Sequence, residues 1–422
     1  MNISLVLKNL RISFLLIACF NGFSQVPGKF SLEISEGRAG LPVCINIDWL
    51  NYNSDKGKIT LFEITPEGEL FTPSQLETGI SGRLWFIPGE CKSKAPERVF
   101  IIRISEDTLD RSGKKIISVE KGHKDLKVTA NKKPVLNYRF AMTYPPEGVD
   151  LLYRRSGYIH PLWSPGGEPL TRIQPPDHYH HYGIWGPWTL THIGGRETDF
   201  WNLAKGEGTV KFAGLISVVE GDVFSGFKVL QQHVDFGGAG EDRIAINELL
   251  DVRIWNLSDK VWIIDYTTSF NTPLENGIML DAYRYGGGIG FRATERWHKD
   301  NCTVLTSENK TREDADGSFA RWCIVEGESS AEAQRSGILF MSHPSNRMHP
   351  EPMRVWPADT NEGRGDIFFE FVPIRHNSWK LERGKDYTLK YRLVVFDGRM
   401  DNESANNYWN SFANMPKIKI LE

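Results

Sequence analysis

Alternating apolar and polar positions dominate this chain, and long helical periodicity is hard to find anywhere in it. Short alternating runs at 30–34, 43–49, 58–64, 83–87 and 98–104 are separated by polar turns. That pattern predicts a first unit of immunoglobulin-like size, built as a β-sandwich over residues 26–125. Longer runs follow at 209–218, 226–236, 243–255, 261–270, 337–343, 366–372 and 386–396. In the last of these, Tyr387, Leu389, Tyr391, Leu393 and Val395 share one face while Lys390 and Arg392 turn away, the signature of a half-buried strand. So many mostly antiparallel strands over 126–400 require two large packed sheets or a closed barrel. The predicted fold class is therefore all-β, with the charged stretch at 120–125 as the boundary between two units. A polar tail, 401–422, is expected to end in a short helix or strand.

Composition narrows the setting. Fifty basic residues stand against 53 acidic ones among 422, which leaves no electrostatic footprint for nucleic acid or an anionic membrane surface. The apolar run at 12–20 is too short to span a bilayer. It follows Lys8 and Arg11 and precedes Gly22 and Ser24, which predicts a signal peptide over 1–24 cleaved before Gln25. A second reading takes Leu16-Ile17-Ala18-Cys19 as a lipoprotein box that anchors the chain through Cys19. Either way the protein is expected to be exported to the periplasm or beyond, with no transmembrane segment in the mature chain. There Cys44, Cys91, Cys302 and Cys323 have two readings, bridges 44–91 and 302–323 or buried free thiols. Their spacing matches no thiolate zinc motif.

Candidate chemistry is concentrated in one segment. Five of eleven His (160, 178, 180, 181, 192) and four of thirteen Trp (163, 185, 188, 201) fall between residues 160 and 201, framed by Pro and Gly that exclude a helix. In an extended backbone His178 and His180 point to one side and His181 to the other. These imidazoles suit acid–base chemistry, with Asp177 and Arg172 beside them. They also suit a metal held by His178, His180 and His181, although the spacing matches no established metal motif. Packing of a Pro-rich corner is the plain structural alternative. For a carboxylate partner, Glu248 is the one polar member of the inward row Ile244, Ile246, Leu250, Val252 and Ile254. Asp265 and Glu370 raise the same question, and for each an ion pair with an inward Arg is the ordinary explanation. The bend Tyr283–Arg292 supplies Arg284 and Arg292, and the strand-end loop at 343–350 supplies His343 and Arg347.

Five motifs in order carry a family resemblance: Asp177-His178-Tyr179-His180-His181-Tyr182-Gly183-Ile184-Trp185, Asp199-Phe200-Trp201-Asn202, Tyr285-Gly286-Gly287-Gly288-Ile289-Gly290-Phe291-Arg292, His343-Pro344-Ser345-Asn346-Arg347, and Tyr391-Arg392-Leu393-Val394-Val395-Phe396-Asp397-Gly398. Together they resemble the exported bacterial PmoA-like family of unknown function, over residues 138–398. The methane-oxygenase subunit whose name that label borrows needs several membrane spans, and this chain has none. The resemblance implies a galactose mutarotase-like supersandwich, hence a sugar on a β-sheet face, though a fold does not establish a reaction. The expected function is a carbohydrate-active protein, a hydrolase, lyase or epimerase, that binds a glycan or sugar. His178, His180, His181 and Glu248 would act as acid–base groups. Arg172, Asp177, Trp185, Asp199, Trp201, Arg284, Arg292, His343 and Arg347 would bind substrate, with no cofactor. The alternatives are a non-catalytic carbohydrate-binding or adhesion protein and a metal-dependent oxidoreductase.

Overall fold

The computed structural model describes residues 28–421 apart from 35–39, 54, 56, 80, 90–96, 106–115 and 238–240. The leader with Cys19, and Cys91 with its expected bridge, lie outside the described residues. The all-β expectation holds: the strands pair antiparallel, and the described residues contain a single α-helix, Asn402–Ala413. No helix among them is long and apolar enough to cross a membrane.

Two large sheets carry most of the chain. A nine-stranded sheet runs from Phe319–Ala320 at one edge to Ile117–Lys121 at the other, with Ile289–Arg292 and Ile184–Trp185 in its middle. An eight-stranded sheet runs from Gly208–Val219 to Cys302–Thr306. Their facing sides share one core, in which Tyr138 meets Phe227 with ring centres 5.3 Å apart, Phe291 meets Phe340 at 5.2 Å, and Phe340 meets Phe369 at 4.7 Å. Burying each such ring contributes about 1.5–3 kcal/mol. A separate small core around Phe30, Phe86 and Phe100 fills the N-terminal sheets. The edge strands Gly68–Thr72 and Ser74–Glu77 there lack clear alternation and escape a pattern search.

The second face of the eight-stranded sheet is not open to solvent. Trp255, Ile263, Trp322, Val394 and Phe396 are covered by Tyr408, Trp409 and Phe412 of the helix and by Trp85 of the N-terminal unit. The strand Tyr387–Asp397 is therefore buried on both faces rather than half buried. Arg392, expected to point into water, is buried and donates to Asp265 at 2.5 and 2.9 Å, the ordinary ion pair anticipated for that carboxylate. The strand's own sequence does not show what covers it. The tail continues from the helix, capped by Asp401, into the strand Lys417–Leu421, which pairs with Gly28–Glu33.

Carboxylates also enter the space between the sheets, each satisfied there. Glu248 points inward with Ile246, Leu250, Val252 and Ile254, although a register shift leaves Ile244 of that row exposed, and it is bound by His233 Nε2 at 2.9 Å and Thr268 Oγ1 at 2.7 Å. Glu351 accepts from Tyr391 Oη at 2.7 Å, from Asn346 Nδ2 at 3.0 Å and from Ser342 Oγ. Burial pushes its pKa up from 4.5 to about 7.

The suggested 302–323 bridge is corrected. Cys302 pairs with Gly327 and Cys323 with Thr306, so the two thiols sit four residues apart along neighbouring strands, and both are free. At roughly 3.4 Å per residue that separation far exceeds what a disulfide spans. Peptide mapping after alkylation in denaturant is expected to find both thiols labelled without reductant; a peptide pair linked through them would overturn this. A second expectation concerns pH. Because Glu351 has a folded pKa above its unfolded one, its penalty is absent below about pH 4.5 and grows as pH rises towards and through 7. The stability of Glu351→Gln relative to the parent should rise by about 1 kcal/mol or more between about pH 4 and pH 8 in urea unfolding. A difference independent of pH would refute the assignment.

Candidate functional site

The outward side of the nine-stranded sheet holds the histidines. Alternation sends Ile184 and Phe291 into the core and their neighbours Trp185 and Arg292 to the other face. The segment before Ile184 is not extended. Pro176 begins a turn in which His178 N donates to Pro175 O (2.9 Å), and a second turn follows in which His181 N donates to His178 O (3.0 Å). These turns replace strand alternation and gather all three imidazoles on one side, with ring centres 4.7, 4.8 and 5.3 Å apart. Gly183 then returns the chain to the sheet at φ +64°, where a Cβ would lie 2.3 Å from Ile159 O, so only glycine fits.

Below the imidazoles lies an aromatic cage. His181, almost fully buried, contacts Trp185 at 5.3 Å, Phe368 at 5.1 Å, Trp356 at 5.4 Å and Trp201 at 5.9 Å, and His178 meets Trp356 at 4.8 Å. Within this cage sits the Arg292 guanidinium, 1% exposed, donating to Asp177 at 2.7 Å and Asp366 at 2.8 Å over the Trp356 ring. Its Nη1 lies 3.5 Å from His181 Nδ1. Asp177 also accepts from His178 Nδ1 at 2.9 Å.

The electrostatics follow from burial and these partners. Burial alone would raise Asp177, but hydrogen bonds from His178 and Arg292 and the guanidinium charge hold its carboxyl well below the usual range. Burial, with His178 adding to it, pushes His180 down to about 3. Burial, then His180 and Arg292, pushes His181 well below 6.5. Burial lowers Arg292 to about 10, so it stays a cation at neutral pH. His180 and His181 are therefore neutral imidazoles there.

Above the cluster opens a hollow of about 190 Å³ lined by the three imidazoles, Trp201, Trp356, Asn202, Thr189, Tyr283, Arg284 and Tyr285. Larger hollows, about 630 Å³ beside Cys302 and Arg312 and about 390 Å³ beside His160 and Arg139, gather no set of imidazoles.

The expected site residues divide into three groups. His178, His180, His181, Trp201 and Arg284 line the hollow. Asp177, Arg292, Trp185 and Asp199 stand behind that lining. Trp185 is buried beneath His181, and Asp199 accepts from the backbone of Trp201 and Asn202 at 2.8 Å and from Asn202 Nδ2 at 2.7 Å. Arg172 belongs to the same charge network, 3.9 Å from Asp366 and 3.5 Å from Glu295.

Three residues are elsewhere. Glu248 is engaged between the sheets with His233 and Thr268, so it is not the carboxylate of this site. His343 caps its own loop through Ser345 and packs on Phe412. Arg347 ties down the carbonyls of Pro373, Asn377 and Ser378 while lying over Trp379. Sequence reasoning missed Trp356 and Asp366, which sit just outside the regular strands Glu351–Val355 and Phe368–Phe371. Their only signal was position at a strand end. Glu370 is fully buried, accepts from Gly286 N at 3.0 Å and supports the bend from below.

Residues 125–410 match the family described as Family of unknown function (DUF6807), and the chain belongs to that family. No curated protein matches it. Among solved structures, a galactose mutarotase related enzyme from Lactobacillus acidophilus is similar over 67% of this chain and 100% of that one, at 8% identity and a TM-score of 0.29. So loose a superposition carries no argument about ligand or activity.

Removing the guanidinium would take from the buried Asp366 and the half-buried Asp177 the cation they share, leaving Arg364 with Asp366 and His178 with Asp177. Arg292→Met is therefore expected to lose about 3–5 kcal/mol in equilibrium urea unfolding. A loss below about 1 kcal/mol would mean that Asp177 and Asp366 are solvated without it.

Proposed function

We propose that this member of a family of unknown function binds a single sugar ring, or a similarly polyhydroxylated small ring, in the hollow over the nine-stranded sheet, and acts on it through the imidazole cluster. The observation that carries this reading is the convergence of three imidazoles with Trp201 and Trp356 in one hollow. Aromatic faces suit the C–H surfaces of a sugar, while Asn202, Thr189, Arg284 and the imidazoles offer hydrogen bonds to hydroxyls. The volume, about 190 Å³, is below the roughly 300–1,000 Å³ of sites for drug-sized ligands, which favours one ring over an extended chain.

The lining also narrows the reaction. No Asp or Glu is among the residues that line the hollow, whereas most glycoside hydrolases need two carboxylates flanking the bond. Epimerase or lyase chemistry, which needs a base above an acidic C–H, fits the imidazoles better than carboxylate-pair hydrolysis. Export, read from the N-terminal leader, is part of the same proposal and would bring the protein to sugars outside the cytoplasm.

The test is a panel of neutral and acidic mono- and oligosaccharides, followed by ligand-detected NMR and by mass analysis of products. Arg284 is exposed and its guanidinium lies over the Tyr285 ring, so Arg284→Ala should leave folding intact and weaken binding about tenfold, the loss of one charged hydrogen bond. His178→Ala should abolish product formation. Binding without product in the parent protein would reduce the reading to a carbohydrate-binding module. No binding anywhere in the panel would end it.

A further inference from the structure

We propose that His178, His180 and His181 form a mononuclear transition-metal centre of the three-imidazole zinc type, with its fourth position open to the hollow. The proposal rests on the reading of that hollow as the ligand site and makes the imidazoles metal ligands in place of the acid–base groups of that reading.

The first argument is geometric. One ligand atom from each of the three residues lies within 4.8 Å of the other two. Tetrahedral donors at about 2.1 Å from zinc are about 3.4 Å apart, so small side-chain rotations close the set. Such convergence is not a by-product of strand alternation, because it is made by the two turns that the Pro-framed segment forms.

The second argument is the state of the ring nitrogens. His178 donates from Nδ1 to Asp177, which fixes the tautomer and leaves its Nε2 lone pair available. A carboxylate behind a ligating histidine is the usual outer support of metal sites. The His180 side chain makes no hydrogen bond to the described residues, and that of His181 is engaged among them at Nδ1, by Arg292, and not at Nε2. The cage around them consists of Trp185, Trp201, Trp356 and Phe368 and supplies no partner for the Nε2 atoms. These nitrogens face the hollow rather than a protein partner, so they are open to a ligand there. Coordination through Nε2 of His181 puts the proton on Nδ1 and releases the 3.5 Å contact with Arg292, which is already at the limit of a hydrogen bond.

The third argument is chemical class. Neutral nitrogen donors without carboxylates in the set favour zinc and its first-row neighbours over calcium or magnesium. Three protein ligands and one open position are the catalytic form of a zinc site, as distinct from the closed structural form. Zinc there would supply a Lewis acid to a hydroxyl or carbonyl oxygen of the bound ring.

The full chain, stripped with dipicolinate and titrated with zinc in a calorimeter, should take up one ion with a Kd below about one micromolar. Cobalt in its place should give the visible absorption of a tetrahedral site. His180→Ala should weaken zinc binding at least about a hundredfold, and Asp177→Asn about ten- to hundredfold. The apo-protein thermal midpoint, measured alongside, separates loss of ligation from loss of fold. The His180 side chain has no hydrogen bond to the described residues to lose, so its variant stays informative if Asp177→Asn unfolds.

No saturable one-to-one uptake overturns the proposal, as does stoichiometric zinc that persists in a His178→Ala/His180→Ala double variant. Sugar binding by stripped protein that takes up no zinc sinks the metal centre and leaves the pocket reading intact. One-to-one zinc uptake abolished by His180→Ala, with no sugar bound in either form, upholds the centre and sinks the sugar reading.

Discussion

The site depends on a buried cation. Arg292 leaves the middle of the nine-stranded sheet on the face opposite the main core, and a guanidinium without partners there would be strongly unfavourable. Asp177 and Asp366 compensate it at 2.7 and 2.8 Å, and the Trp356 ring covers it. Each partner comes from a different part of the chain. Asp177 lies in the His loop, Asp366 precedes the strand Phe368–Phe371, and Trp356 follows the strand Glu351–Val355. One ion-pair network thus holds three connections against a single strand and sets where the imidazoles stand. A buried network of this kind gives little net stability but is costly to break, which suits it to fixing one arrangement.

A one-residue alternation separates stability from chemistry. Ile184 and Phe291 complete the core between the sheets, while Trp185 and Arg292, their chain neighbours, build the floor of the hollow. The floor is therefore built from sheet residues, and the imidazoles stand in the turns above it. Close packing underneath leaves the His loop few alternatives: Gly183 has no room for a side chain, and Gln174 holds the loop's far end to His181 and Tyr182.

Much of the site was legible, though not all for the right reason. The density of His and Trp between 160 and 201 identified the correct segment, because Pro and Gly there specify turns whatever surrounds them. Alternation correctly turned Glu248 inward. It could not show that the inward space belongs to the opposite side of the nine-stranded sheet from the histidines, nor that His233 waits there as a partner. His343 and Arg347 sit on a strand-end loop as expected, yet their polar atoms are spent on that loop and on its neighbour. Asp366 was placed in the strand 366–372 rather than in the site, and Trp356 went unseen, because single residues at strand ends carry no periodic signal of their own.

The amino-acid sequence alone determined the all-β class, the long strands and the place of the histidine segment, since periodicity two and Pro/Gly punctuation act within a few residues. Tertiary structure decided which face each strand buries, because the covering helix and N-terminal unit come from distant residues. It also decided which charges meet. Asp177, Arg292 and Asp366 are neighbours only because the nine-stranded sheet brings them together, and contacts between residues 115 and 74 positions apart leave no trace in local pattern.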